Sequence, residues 1–182
     1  MTILHIDSSV TGQNSVSRVL TQHVINRLTG ESGAEVIHRD LLAEPLDHMT
    51  LDVFADSSVL DEFLSADTVV IGAPMYNFTL PSQLKAWLDR ILVSGKTFRY
   101  TEDGPEGLAG GKRVIVALSR GGFYRGDAPA AVLEHLETYL SGVFGFIGIT
   151  PEFVAADGIN LGPDFRAKAV ETAIGEVERL AA

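Results

Sequence analysis

The 182-residue sequence contains no cysteine, which removes disulfides, thiolate metal sites and cysteine nucleophiles from its chemistry. Positive charge is scarce as well: 14 Lys and Arg stand against 24 Asp and Glu, a formal net charge of -10. Such a chain is repelled by nucleic acid and by anionic lipid surfaces, so neither partner is expected. Long apolar runs are missing too. The longest tract, Val143 to Ile149, is interrupted by Gly145 and Gly148 and falls far short of a bilayer span. Met1 to Asp7 carries neither a basic region nor a long apolar stretch, and it reads as a first strand rather than a secretory signal. These features lead us to expect a cytoplasmic protein.

Other absences narrow the chemistry. The histidines at 5, 23, 38, 48 and 135 show no H-E-x-x-H or comparable ligand spacing, so no metal is expected. There is no Walker lysine and no G-x-G-x-x-G, which argues against an NTPase or a Rossmann dinucleotide site. No G-x-S-x-G elbow supports hydrolysis.

What is present suits one folded domain over 1–182, with 46% hydrophobic and 21% charged residues. Apolar runs bounded by turn residues occur at Ile3 to Ile6, Val36 to Ile37, Thr68 to Ile71, Val114 to Leu118 and Phe144 to Val154. The middle runs alternate little, as strands covered on both faces do. Helical periods lie between them at Ser17 to Leu28, Leu51 to Leu64, Pro81 to Val93, Ala130 to Gly142 and Asp164 to Leu180. In the third of these Leu84, Trp87, Leu88 and Ile91 share one face, Pro81 suits the first helical position, and Lys85 and Arg90 read as solvated charges. Five β/α alternations predict an α/β, flavodoxin-like doubly wound parallel sheet of five strands in the order 2-1-3-4-5. The turn-rich segment Ser94 to Lys112 predicts a projecting hairpin.

In such a sheet ligands gather beyond the carboxyl ends of the strands. Three loops there are unusual. The loop Ser8 to Arg18 is dense in hydroxyls and opens a helix, so its backbone N–H groups suit a phosphate, although Ser15 equally suits a helix cap. The loop Ala73 to Pro81 places Met75, Tyr76 and Phe78 at the end of a buried strand, where a flat heteroaromatic ring finds apolar faces; packing on the helix below is the alternative. The loop Ser119 to Gly126 sets Gly121 and Gly122 where backbone can approach such a ring, although Gly-Gly is also an ordinary turn. Together the loops imply a phosphorylated aromatic cofactor.

The run Met75-Tyr76-Asn77-Phe78, followed by Pro81, Gln83, Leu84 and Lys85, resembles the signature of the FMN-dependent NADH azoreductase and NADH:quinone oxidoreductase family. Phe98 to Thr101 with Gly104 to Leu108, Ser119 to Gly122, and Gly145 to Thr150 are similar to the same family in the same order. The resemblance implies an oxidoreductase that binds FMN, takes electrons from NADH and passes them in pairs to quinones or azo compounds by a ping-pong cycle. It implies phosphate contacts from Ser9, Ser15, Val16 and Ser17, with Val16 acting through its backbone. Met75, Tyr76, Asn77 and Phe78 would line the ring, and Ser119, Arg120, Gly121 and Gly122 its pyrimidine edge. It further implies a homodimer, with Tyr100 and Phe146 as walls of the substrate pocket. The segment Asp40 to Leu60 is shorter than in most members, which bears on the dimer and the donor site. A flavodoxin-like FMN electron carrier is the alternative from another class, and a flavin-free interaction protein a third.

Overall fold

The computed structural model describes residues 1–181. Its centre is a parallel sheet of β1 (Thr2–Asp7), β2 (Glu35–Asp40), β3 (Thr68–Pro74), β6 (Arg113–Arg120) and β7 (Glu152–Asp157), in the spatial order β2-β1-β3-β6-β7. Two further strands, β4 (Phe98–Thr101) and β5 (Gly104–Gly107), pair antiparallel in a hairpin of their own, which is the feature expected in Ser94 to Lys112. Because the hairpin intervenes along the chain, the expected 2-1-3-4-5 does not carry over number for number.

Side chains of a strand alternate between faces, and here each face meets its own layer of helices. Ile3, Val70, Ile115, Ala117 and Val154 pack with α1 (Val16–Ser32) and α6 (Pro163–Val177). Leu4, Ile6, Val69, Ile71, Val116 and Leu118 pack on the other side with α3 (Ser58–Ser65), α4 (Ser82–Ile91) and α5 (Glu137–Phe146). The short α2 (Leu51–Phe54) precedes α3. Close approach of α1 to the sheet rests on Gly72, where a Cβ would stand 3.0 Å from Asp7 Oδ1 and 3.2 Å from the Thr21 methyl.

Several boundaries differ from the sequence expectation. The helix expected over Leu51 to Leu64 is two, with Thr50 capping the first and Asp56 receiving Ser58 N–H before the second. Pro81 is extended, at ψ 143°, and precedes α4 as its cap rather than serving as its first residue. Arg90 is buried, not solvated, and donates to the Asp47 carbonyl at 3.1 Å. The helix expected from Ala130 is a 3-10 turn at Ala131–Leu133 followed by α5 seven residues later than expected. Phe144 to Phe146, expected to open the fifth strand, instead close α5. Gly148 at φ 89° then turns the chain, and the strand begins at Glu152.

Candidate functional site

A cavity of about 550 Å³ opens at the carboxyl ends of β1, β3 and β6, within the range of small-molecule sites. Its walls come from all three unusual loops: Ser9, Ser15 and Val16 from the first, Met75 and Tyr76 from the second, Ser119 and Gly121 from the third.

The first loop is a chain of hydroxyls. Ser9 Oγ lies 3.0 Å from Thr11 Oγ1, and Ser15 Oγ lies 3.0 Å from the buried Ser17 Oγ. Ser15 also caps α1, accepting the Arg18 N–H at 3.3 Å, and borders the cavity. Helix geometry leaves the N–H groups of Val16 and Ser17 without intrahelical acceptors, and both stand at this end. Arg166, from α6, reaches the Asn14 carbonyl at 2.8 Å at the cavity wall. The lining among the described residues contains this arginine and no carboxylate, although the chain carries 24 Asp and Glu.

The second loop is a tight turn in which Tyr76 and Thr79 exchange both backbone hydrogen bonds, at 2.9 and 3.1 Å. Its two central residues, Asn77 and Phe78, have φ of 48° and 72°. Two positive φ values mark a type I′ turn, comfortable for Asn but strained for Phe. Strain of this kind costs on the order of 1–3 kcal/mol and gathers at functional sites. Phe78 is half exposed and meets Tyr124 edge-on at 6.2 Å, and the Tyr76 hydroxyl lies 3.1 Å from Ser9 Oγ. Met75 N–H donates to the Ser119 carbonyl at 2.8 Å, tying this loop to the third.

The third loop departs from what the resemblance implies. The Arg120 side chain is fully buried, ion-paired with Asp157, Glu134 and Glu137 at 2.6, 3.3 and 3.0 Å. It faces away from the cavity, which leaves only backbone for any contact there. Gly122 is not part of the wall; its carbonyl accepts from Gly158 N–H. Gly121 is, and a Cβ there would meet Asn160 Nδ2 at 2.6 Å. Tyr100 and Phe146 flank Phe98, at 5.6 and 4.7 Å between ring centroids, and neither lines this cavity within one chain.

Thr11, Asn14, Pro74, Ile159, Asn160 and Arg166 complete the wall; Thr11, Asn14 and Pro74 fall within loops marked in the sequence without being assigned singly, and Ile159, Asn160 and Arg166 were missed. Ile159 and Asn160 follow the fifth sheet strand, where the carboxyl-end rule would have found them had that strand been placed correctly.

Beside the hydroxyl loop, Arg18 holds Asp40 with two bonds of 2.7 Å, and this pairing keeps the Asp40 carboxyl at about 2. Burial pushes Asp7 up, yet His5, His38 and Arg18 around it bring its carboxyl below the usual range.

The donors fit FMN. Hydroxyls, first-turn N–H groups and Arg166 suit a phosphate. The Met75 and Tyr76 side chains and the backbone of Gly121 suit a flat ring.

The comparisons agree with this geometry. A family described by its flavodoxin-like fold matches residues 1–181. The chain is 56% identical to the FMN-dependent NADH:quinone oxidoreductase 2 of Bradyrhizobium diazoefficiens, over 96% of each chain. It is 51% identical to the FMN-dependent NADH:quinone oxidoreductase of Rhizobium meliloti, over 98% of this chain and 94% of that one. Among solved structures, an azoreductase from Bacillus anthracis superposes with a TM-score of 0.88 at 28% identity, covering 97% of this chain and 96% of that one. An FMN-dependent NADH-azoreductase from the same species, in complex with FMN, gives 0.85 at 26% identity, covering 100% and 99%. With its whole described length matched, its three-layer sheet and its cavity at the strand ends, this chain belongs to the flavodoxin-like fold family.

Proposed function

We propose that this protein is an FMN-dependent NADH:quinone oxidoreductase that also reduces azo compounds. The observation that carries the proposal is the carboxylate-free cavity formed where the hydroxyl loop, the strained Tyr76 to Thr79 turn and Gly121 meet. Relatives that share half or more of its residues are named for that activity. FMN, when bound, would supply the two-electron redox chemistry between NADH and the acceptor.

The chain's own residues bind and orient. Ser9, Ser15 and Ser17, with the N–H groups of Val16 and Ser17, take the phosphate. Met75, Tyr76, Asn77 and Phe78 hold the ring, with the two outward N–H groups of the turn as donors along its edge. Ser119, Gly121 and Gly122, with the backbone of Arg120, lie along the pyrimidine side. The protein acts as one unit in a homodimer. Tyr100 and Phe146 then wall the acceptor pocket of the partner, which accounts for two aromatic positions that a single chain leaves outside its own cavity. Stacking contacts of this type favour broad acceptor specificity, with quinones as the ordinary acceptors and the cytoplasm as the setting. An electron carrier would also suit the charge of -10, but it gives the β4-β5 hairpin no task.

The test is anaerobic mixing of FMN-loaded protein with NADH and then with a benzoquinone or an azo dye. Flavin absorbance should bleach and return. Absence of bleaching with either NADH or NADPH overturns the proposal.

A further inference from the structure

The face of β1 and β2 that looks toward α1 carries a second cluster, apart from the hydroxyl loop. His5 and His38 are direct partners across the parallel pair, and Asp7 stands two residues along on the same face. The imidazole rings lie 4.5 Å apart at 30°. His5 is buried, with 7% of its side chain exposed, and its Nε2 makes no hydrogen bond; it points at Asp7 Oδ2 from 3.4 Å without hydrogen-bond geometry. His38 Nε2 stands 3.1 Å from the same oxygen. All three donor atoms lie within 4.8 Å of one another.

These spacings are those of a metal's ligand edge. Ligands about 2.0–2.1 Å from a tetrahedral ion are roughly 3.3–3.4 Å from each other, and two of the three edges already fall close to that. Two imidazoles and one carboxylate, on adjacent rigid strands, form a donor set for a borderline divalent transition metal rather than for calcium or magnesium. His38 has 48% of its side chain exposed, so the cluster opens on one side into a cavity of about 560 Å³, with room for a water as fourth ligand.

Arg18 donates to the same Asp7 Oδ2 at 3.3 Å, a bond that a metal would displace, while its two shorter 2.7 Å bonds to Asp40 would keep the guanidinium in place. Asp7 Oδ1 is held separately by the Thr21 hydroxyl at 3.2 Å, which fixes the carboxylate's plane as a ligand's neighbour should. Two carboxylates, Asp7 and Asp40, stand here against the single Arg18 guanidinium. Spacing along the chain hides all this, because the ligands converge from two strands rather than from one helix turn.

We propose that His5 Nε2, His38 Nε2 and Asp7 Oδ2 form a site for one divalent transition-metal ion of the zinc or cobalt class; its ligands are distinct from the lining of the flavin cavity, although Ser15 borders both cavities, and the proposal is independent of the flavin reading. The test uses untagged, chelator-treated, FMN-loaded protein. Titration with Co²⁺ should give one bound ion per chain and the visible d–d absorption of a four-coordinate nitrogen and oxygen site. Zn²⁺ should displace it and abolish the bands. His38→Gln, at a half-exposed position that leaves the core intact, should weaken Zn²⁺ binding by about 100-fold or more, since losing even an outer partner of a ligand costs 10–100-fold. His48→Gln, at an exposed histidine elsewhere, should change nothing. Co²⁺ binding without d–d bands, or Zn²⁺ affinity that survives His38→Gln, overturns the proposal.

Discussion

The phenolic hydroxyl of Tyr76 lies 3.1 Å from Ser9 Oγ and also accepts the Val10 N–H at 3.2 Å, so the loop after β3 is bonded to the loop after β1. Two walls of the cavity are thereby held at one separation. Tyr76→Phe keeps the apolar surface and removes only this link. Each such bond contributes about 1 kcal/mol, so FMN should bind roughly five-fold more weakly, read from quenching of flavin fluorescence on titration. Unchanged affinity would show that the loops hold their spacing without the link.

Phe78 occupies a backbone conformation suited to glycine. Phe78→Gly creates Asn-Gly, the preferred pair for this turn, and should stabilise the flavin-free protein by about 1 kcal/mol in urea unfolding while weakening FMN binding. Opposite signs in the two measurements are the expected outcome. A loss in both would mean that the Tyr124 contact outweighs the strain.

Glu134 caps α5 with its carboxylate, receiving Glu137 N–H at 2.8 Å and Thr138 N–H at 3.0 Å. Burial raises its carboxyl, but these bonds, the Thr138 hydroxyl and Arg120 bring it below the ordinary 4.5. A depressed carboxyl stabilises the fold fully above its unfolded value and loses that contribution as pH falls through the lower, folded one. Glu134→Ala should therefore cost about 1 kcal/mol near neutral pH, and the gap to the parent should close as pH drops below about 4.5. A gap that stays constant with pH would remove the carboxylate's charge from the account.

Arg120 sits among three carboxylates with no exposed surface. Arg120→Met leaves Asp157 and Glu134 without this cation while Arg125 still pairs with Glu137 at 2.6 Å, and the cost should be about 3 kcal/mol, the lower end for breaking a buried pair because Asp157 and Glu137 also keep some contact with water. Protein that remains folded should still bind one FMN per chain, because the side chain faces away from the cavity. A specific loss of flavin with unchanged unfolding would reverse that assignment.

Much of this arrangement is legible in residue order. The repeat of Leu84, Trp87, Leu88 and Ile91 marks α4, and all four are buried. The three loops announce themselves by content, and the cavity joins them. What residue order conceals is where long-range contacts decide. The apolar run from Phe144 to Val154 has the composition of one strand. It divides because α5 runs on to Phe146 and Gly148 then turns the chain, with Ile149 N–H returning to the Phe144 carbonyl at 2.9 Å. The start of α5 is set by a side chain preceding it, not by its own periodicity. Arg120 looks like a cavity residue by its neighbours in sequence, yet the alternation of β6 turns it to three acids from other segments.

At Gly107 a Cβ would stand 2.2 Å from Gly148 N, so the hairpin and the turn after α5 meet backbone against backbone. Ala109 N–H and the Ile147 carbonyl, 3.0 Å apart, fasten the same seam. A flap needs a hinge, and this joint has none. The aromatic edge carried by Phe98, Tyr100 and Phe146 therefore rests on a fixed seam of backbone rather than on a movable flap.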